Sequence, residues 1–126
     1  MNIVVEITRD AVVATGMAPL AVGCGAVAEF AGVVRGDEDG ATIPALDYEA
    51  YEVMAQSEIV RILQELAVEY PCESVAVRHR IGRVAVGEIS ILVRIESRHR
   101  AEAFGMLAKF MDRLKREVPI WKRVAS

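Results

Sequence analysis

Lysine is scarce in this chain, with three residues against twelve arginines, and all three lysines (Lys109, Lys115 and Lys122) fall within the last eighteen positions. Arginine is therefore the general-purpose cation, and a lysine on an otherwise apolar helix stripe asks for its own explanation. Long hydrophobic runs are also missing. Although 53% of the residues are hydrophobic, no uninterrupted run approaches the roughly 20 residues of a bilayer span, and Met1-Asn2-Ile3 offers no basic region ahead of a signal-like core. The expectation is a soluble, cytoplasmic protein with no membrane partner. Cysteine is limited to Cys24 and Cys72, 48 positions apart with no Cys-x-x-Cys pair, which favours structural thiols and no bound metal over a zinc or redox centre; spacing alone allows a disulfide, which a reducing cytosol disfavours. Aromatic residues make up 6% and do not interleave with the basic ones, so a stacking surface for nucleic acid is absent and no nucleic-acid partner is expected.

What is present is a chain of 126 residues, a length that fits one domain spanning 1–126 with a core of its own. Its net charge of -3 is unevenly placed. Met1 to Glu96 holds seven basic and fifteen acidic residues, whereas Ser97 to Ser126 holds eight basic and three acidic. The cationic end points to an anionic ligand, such as a phosphate, a partner's carboxylate or nucleic acid, the last disfavoured by the acidic remainder; the alternative is a solvated, arginine-rich helix face.

Alternation around Ile3, Val5 and Ile7 predicts a strand over Asn2 to Thr8. Asp10 to Gly25 reads as a turn plus a short irregular or helical piece. Ala26 to Arg35 reads as a strand interrupted by Gly32, and Gly36 to Gly40 as a flexible acidic loop. A further strand carries Leu46, Tyr48 and Ala50. Ile59, Ile62, Leu63, Leu66, Ala67 and Tyr70 mark one face of a helix between Glu52 and Tyr70 that Pro71 ends. Val75, Val77, His79 and Ile81 share one strand face, and Ile89, Ile91, Val93 and Ile95 another, with Gly82 and Gly87 in a broad connection. Phe104, Leu107, Ala108, Met111, Leu114 and Val118 form the stripe of a last helix, Ala101 to Val118, stopped by Pro119. The order implies an α+β fold with a mostly antiparallel sheet covered by helices.

At about 100° per residue, Lys115 falls within that stripe, four positions after Met111. Partial burial and neighbouring cations are expected to lower its pKa and suit it to act as an amine base; the alternative is a lysine snorkelling from a helix end. Pro119 turns the chain, Ile120-Trp121 reads as a packing anchor, and Lys122-Arg123 come back toward the helix end, so that two amines face one pocket. Ser97-Arg98-His99-Arg100, where a strand meets the helix N-terminus, reads either as a phosphate site or as a cap by Ser97 with solvated charges. His79, among Val77 and Ile81, is assigned to the core. Arg35 is a second anion contact or a strand-end charge. His99-Arg100 and Lys115 lie about 22 Å apart along one helix, so one chain cannot easily place both in one pocket; a two-fold homodimer with antiparallel helices and composite sites resolves this.

The segments Phe30-Ala31-Gly32-Val33-Val34-Arg35, Leu46-Asp47-Tyr48-Glu49-Ala50-Tyr51 with Met54, His79-Arg80-Ile81-Gly82 with Val86-Gly87-Glu88, Ser97 through Phe104, and Asp112-Arg113-Leu114-Lys115 through Pro119-Ile120-Trp121-Lys122-Arg123 resemble the catalytic (large) subunit family of molybdopterin synthase. The resemblance runs from about Gly25 to Arg123. It implies an α/β-hammerhead fold and a sulfurtransferase of molybdenum cofactor biosynthesis. Such an enzyme is a homodimer of large subunits within a heterotetramer, each binding a small ubiquitin-like sulfur-carrier subunit with a C-terminal glycine thiocarboxylate. The implied reaction converts cyclic pyranopterin monophosphate to molybdopterin, without a cofactor or metal on this subunit. Lys115 and Lys122 match the family's catalytic lysines, and Val33, Val34, Arg35, His99, Arg100, Met111 and Arg123 would bind substrate, His99 and Arg100 from the other subunit. The chain departs from the family in having Val124 after Lys122-Arg123, where an acidic residue is common, and in its more acidic 37–39 loop. The competing reading is a non-catalytic dimeric module that holds an anionic metabolite or a partner's C-terminus.

Overall fold

The computed structural model describes residues 1–14 and 21–126. Eleven elements follow in order: β1 (Asn2–Thr8), β2 (Ala26–Val33), β3 (Asp37–Glu38), β4 (Ala41–Thr42), β5 (Ala45–Ala50), α1 (Glu52–Leu66), β6 (Ser74–Arg80), β7 (Gly82–Ala85), β8 (Ile89–Ser97), α2 (Arg100–Glu117) and β9 (Ile120–Val124). A four-stranded sheet has the order β1-β6-β8-β2, a three-stranded sheet the order β7-β5-β9, and β3-β4 is a small hairpin. Every pairing is antiparallel except β1 with β6. The α+β, mostly antiparallel architecture expected from the element order is the one observed.

The main core lies between the four-stranded sheet and the two helices. Val75 and Val77 of β6 and Ile91, Val93 and Ile95 of β8 meet Ile59, Ile62 and Leu63 of α1 and Met106 and Phe110 of α2. Each such fully buried aliphatic or aromatic side chain contributes about 1.5–3 kcal/mol. On β1, Ile3, Val5 and Ile7 pack against this core, as the period-two pattern requires. A second, smaller core of Val34, Ile43, Leu46 and Val84 sits under the three-stranded sheet.

Several expectations are corrected. Helix α1 ends at Leu66, four residues before Tyr70. Pro71 disfavours helical backbone in the residue before it, and the Tyr70 ring turns onto α2, where a Cβ on Gly105 would stand 2.2 Å from it. The 36–40 segment is not a loose loop. Asp39 (φ 50°) and Gly40 (φ 82°) both take positive φ and form a two-residue turn that pairs β3 with β4, the geometry for which an Asp-Gly pair is favoured. Strands β7 and β9 were not anticipated. Each is short, and each is a strand only because β5 lies between them. Of the Asp10 to Gly25 expectation, residues 15–20 lie outside the described residues; Val12 forms an isolated bridge with Ile89.

The stripe of α2 is also rotated from the expected one. Its buried residues are Ala103, Met106, Phe110 and Leu114, while Phe104 is 63% exposed. Lys115 thus lies beside the buried stripe rather than within it, and its side of the helix is open.

The helices are tied together at their outer ends. Arg61 hydrogen-bonds Glu58, Glu65 and Glu117, and Arg113 bonds Glu117 and reaches Glu65 at 2.9 Å. This network spans α1 and α2 on the surface, away from the sheet.

Candidate functional site

A cavity of about 650 Å³ opens where α2, β2 and β9 converge. Strand β2 supplies Phe30 to Val33, and Arg35 follows it in the chain. Helix α2 supplies Met111, Leu114 and Lys115. Strand β9 supplies Ile120, Trp121 and Lys122, and the floor comes from Tyr48, His79, Ser90 and Ile91. Gly32 matters here through space: a Cβ would meet Ile91 Cγ2 at 2.8 Å, and the Ser90 hydroxyl donates to the Gly32 carbonyl at 3.2 Å.

The two amines reach this cavity by separate devices. Lys115 is one turn beyond Met111 on α2, so both face the same side. Helix α2 then ends because Pro119 follows, with Val118 N–H donating to the Leu114 carbonyl and Val118 already in extended backbone. Strand β9 starts at once and pairs antiparallel with β5, setting Lys122 opposite Tyr48 and Arg123 opposite Asp47. Strand alternation sends Lys122 and Arg123 to opposite faces. Lys122 lines the same cavity as Lys115, whereas Arg123 pairs with Glu49 at 3.2 Å and lines a neighbouring cavity of about 530 Å³ with Arg9 and Tyr51.

Electrostatically the larger cavity is one-signed. Arg35, Lys115 and Lys122 line it, and among the described residues no carboxylate does, Glu38 standing just outside the lining. Lys122 Nζ stands 3.8 Å from Glu38 Oε1 of the β3-β4 hairpin, so the acidic 37–39 segment touches the site through one residue. Three cations around a concave space with apolar walls suit a phosphate-bearing organic anion.

Of the residues singled out from sequence, Val33, Arg35, Met111, Lys115 and Lys122 are gathered here. Val34 is not: it is buried in the second core, its N–H bonded to the Glu88 carbonyl and its own carbonyl to the Gly87 N–H. His99 and Arg100 stand at the opposite end of α2, His99 as the N-cap residue, and do not border the cavity. Ser97 does not cap the helix. Its hydroxyl donates to the His99 carbonyl at 2.5 Å, and the cap lacks any side-chain bond. Trp121 is 42% exposed and meets Tyr51 edge-on at 5.1 Å, so it is a wall shared by the two cavities rather than a buried anchor. The burial expected of Lys115 is corrected as well, because its surroundings are open to solvent.

Tyr48, His79 and Glu38 were not anticipated as site residues. Strand alternation alone assigned His79 to the core and placed Tyr48 on a strand face with Leu46 and Ala50. The signal that could have raised them is polarity: each carries a hydrogen-bonding group on an otherwise apolar strand face.

The profile of the family described as MoaE protein matches residues 6–117. The chain is 39% identical over 100 residues to the molybdopterin synthase catalytic subunit of Homo sapiens, covering 79% of this chain and 53% of that one. It is 42% identical over 99 residues to the subunit of the same name from Thermoplasma volcanium, covering 79% and 72%. The chain thus spans about half the length of the human relative. Among solved structures, molybdopterin synthase from Staphylococcus aureus superimposes with a TM-score of 0.86 at 30% identity over 95% of this chain and 89% of that one. The molybdopterin biosynthesis MoaE protein from Burkholderia ambifaria gives 0.78 at 26% over 100% and 84%. With its family profile matched over most of its length and its fold shared with these structures, this chain belongs to the MoaE protein family.

Proposed function

We propose that the chain is the catalytic subunit of a molybdopterin synthase, a sulfurtransferase that converts cyclic pyranopterin monophosphate to molybdopterin in molybdenum cofactor biosynthesis. The single observation that carries this reading is the convergence of Lys115 and Lys122, from two different elements, on one cavity lined, among the described residues, by three cations and no carboxylate. Family membership and the names of the relatives support the same reading.

In this reading the sulfur arrives as the C-terminal thiocarboxylate of a small ubiquitin-like carrier subunit. Lys115 is the essential amine, handling protons or stabilising charge as sulfur attacks the pterin side chain. Its open surroundings mean that the desolvation which makes an amine a useful base comes with the bound substrate and carrier tail. Lys122 assists and holds the phosphate or the carrier's carboxylate, and Arg35 contributes the third cation. Met111 and Val33 supply apolar wall to the pterin side.

The same reading makes the working unit a homodimer with composite sites, within a heterotetramer that includes two carriers. His99 and Arg100 bind phosphate from a second copy. Their place at the far end of α2 from Lys115 supports this, since an 18-residue helix is about 27 Å long.

The test supplies cyclic pyranopterin monophosphate with thiocarboxylated carrier and measures the dithiolene product. Lys115→Ala is expected to lower product formation by about 100-fold or more; undiminished product would leave only an anion-binding module. Mixed dimers of Lys115→Ala and His99→Ala chains are expected to recover part of the activity, because each restores one intact site.

A further inference from the structure

His79 is a polar side chain that none of these roles uses. It is 5% exposed, near the C-terminal end of β6, an interior strand of the main sheet. Its Nδ1 lies 2.8 Å from the Arg80 carbonyl oxygen. A carbonyl only accepts, so Nδ1 carries the proton and the neutral ring keeps its lone pair on Nε2. Burial pushes the pKa of the ring down, which keeps it neutral at physiological pH. Tyr48 meets it edge-on, centroids 5.4 Å apart, through the ring. Among the described residues Nε2 has no hydrogen-bond partner, nor is it one of the side-chain atoms sealed from solvent without one.

Its place in the sheet explains what that lone pair is for. His79 is the register partner of Ile91, and Ile91 of Gly32, so the three form one row across β6, β8 and β2, and all three border the cavity. The absent side chain at Gly32 makes room for Ile91, whose Cγ2 would stand 2.8 Å from a Cβ there, so the row packs closely at the cavity's edge. Around it stand Lys115 and Lys122, both exposed, with Arg35. The cavity therefore has a cationic rim and a neutral, accepting floor. A ligand complementary to it is bipolar: an anionic group at one end and an N–H or O–H donor at the other. A buried acceptor left unpaired in the bound state costs affinity, so such a floor selects against ligands that lack the donor.

We infer that Nε2 of His79 accepts a hydrogen bond from an N–H of the substrate's fused nitrogen heterocycle while the rim cations hold its phosphate, making His79 a specificity-determining residue. The inference rests on the pterin reading above, whose reduced ring system is rich in N–H donors.

Two substitutions separate this role from a packing role. In His79→Gln the side-chain carbonyl takes the place of Nε2 and restores an acceptor. In His79→Asn the side-chain amide takes the place of Nδ1 and restores only the bond to the Arg80 carbonyl. With the carrier-loaded complex and cyclic pyranopterin monophosphate, Gln is expected to keep KM within about 3-fold, and Asn to raise it about 5- to 20-fold with kcat little changed, the loss of one hydrogen bond. A packing role predicts the reverse order, and that result would overturn the inference.

A second measurement does not depend on the variants folding. In wild-type protein labelled with ¹⁵N-histidine, adding cyclic pyranopterin monophosphate is expected to move the Nε2 resonance toward the hydrogen-bonded range while Nδ1 stays protonated. Binding and turnover with an unmoved Nε2 would overturn the inference alone. Failure of the wild type to bind this probe would remove the pterin reading and the inference with it.

Discussion

The Lys122 ammonium stands 3.8 Å from the Glu38 carboxylate, joining the outermost strand of the three-stranded sheet to the β3-β4 hairpin. Glu38 is thereby a built-in competitor for any anion that seeks Lys122. Because the pair is partly exposed, its strength is that of a surface ion pair, about 0.2–1 kcal/mol. Glu38→Gln is expected to tighten binding of the phosphate-bearing substrate by about 2- to 5-fold, measured as KM or by calorimetry. The gain should shrink as salt is raised, since both partners reach solvent. An unchanged KM at low salt would show that Lys122 is free of Glu38 in solution.

The Arg61, Arg113, Glu65 and Glu117 network predicts an acid limb in the stability profile. Hydrogen bonds from Arg113 and then Arg61 hold the Glu117 carboxyl down at about 2, from 4.5, and Arg61 and Arg113 lower that of Glu65. The folded chain therefore binds these protons more weakly than the unfolded chain. The stabilisation is complete above about 4.5 and is lost as pH falls toward about 2. Thermal melts of wild type and Glu117→Gln should differ at pH 7 and converge near the bottom of that window. A constant gap across it would mean that the charged network contributes nothing to stability.

Gly105 is a helix-interior glycine with a tertiary reason. A Cβ there would stand 2.2 Å from the Tyr70 ring. Alanine normally gains about 1 kcal/mol over glycine in a helix interior, but overpacking costs about 1–3 kcal/mol. Gly105→Ala is expected to destabilise on its own and to become neutral or stabilising in a Tyr70→Ala background. Chemical denaturation of the four chains of this cycle measures the sign change.

Cys72 is half-buried and free, and burial first, then Glu102 and Glu73, push its thiol up to about 11. The thiolate is the reactive form. Iodoacetamide at pH 8 should therefore label Cys72 slowly in the folded protein and rapidly after denaturation, with mass spectrometry of the Cys72 peptide as the readout. Fast labelling of the native protein would show that this thiol is neither buried nor shielded by those carboxylates.

Most of the architecture was legible because its period is local. Ile3, Val5 and Ile7 announce β1 by alternation, and Ile59, Ile62, Leu63 and Leu66 announce α1 by helical spacing. The stripe of α2 was legible as a helix but not in its rotation: Phe104, Leu107, Ala108 and Met111 describe an apolar face as well as Ala103, Met106 and Phe110 do. Choosing between two apolar faces depends on where the sheet lies, which spacing does not contain.

For the site, the residues themselves carried the chemistry: two lysines near Pro119 in a chain of three lysines against twelve arginines, within motifs that resemble one family. Alternation on its own assigned His79 to the core, and it is buried; that it also borders a cavity, in one row with Ile91 and Gly32, depends on pairing across three strands. The pairing of β9 with β5 likewise divides Lys122 from Arg123 between two cavities, a split invisible in a dipeptide. Local pattern and residue chemistry, which depend on near neighbours along the chain, determined by themselves the element types, the α+β class and the lysine pair. Which face of α2 is buried, which of two adjacent cations shares a cavity with Lys115, and what stands beneath them were decided only by the tertiary structure, because each depends on a strand or helix brought in from far along the chain.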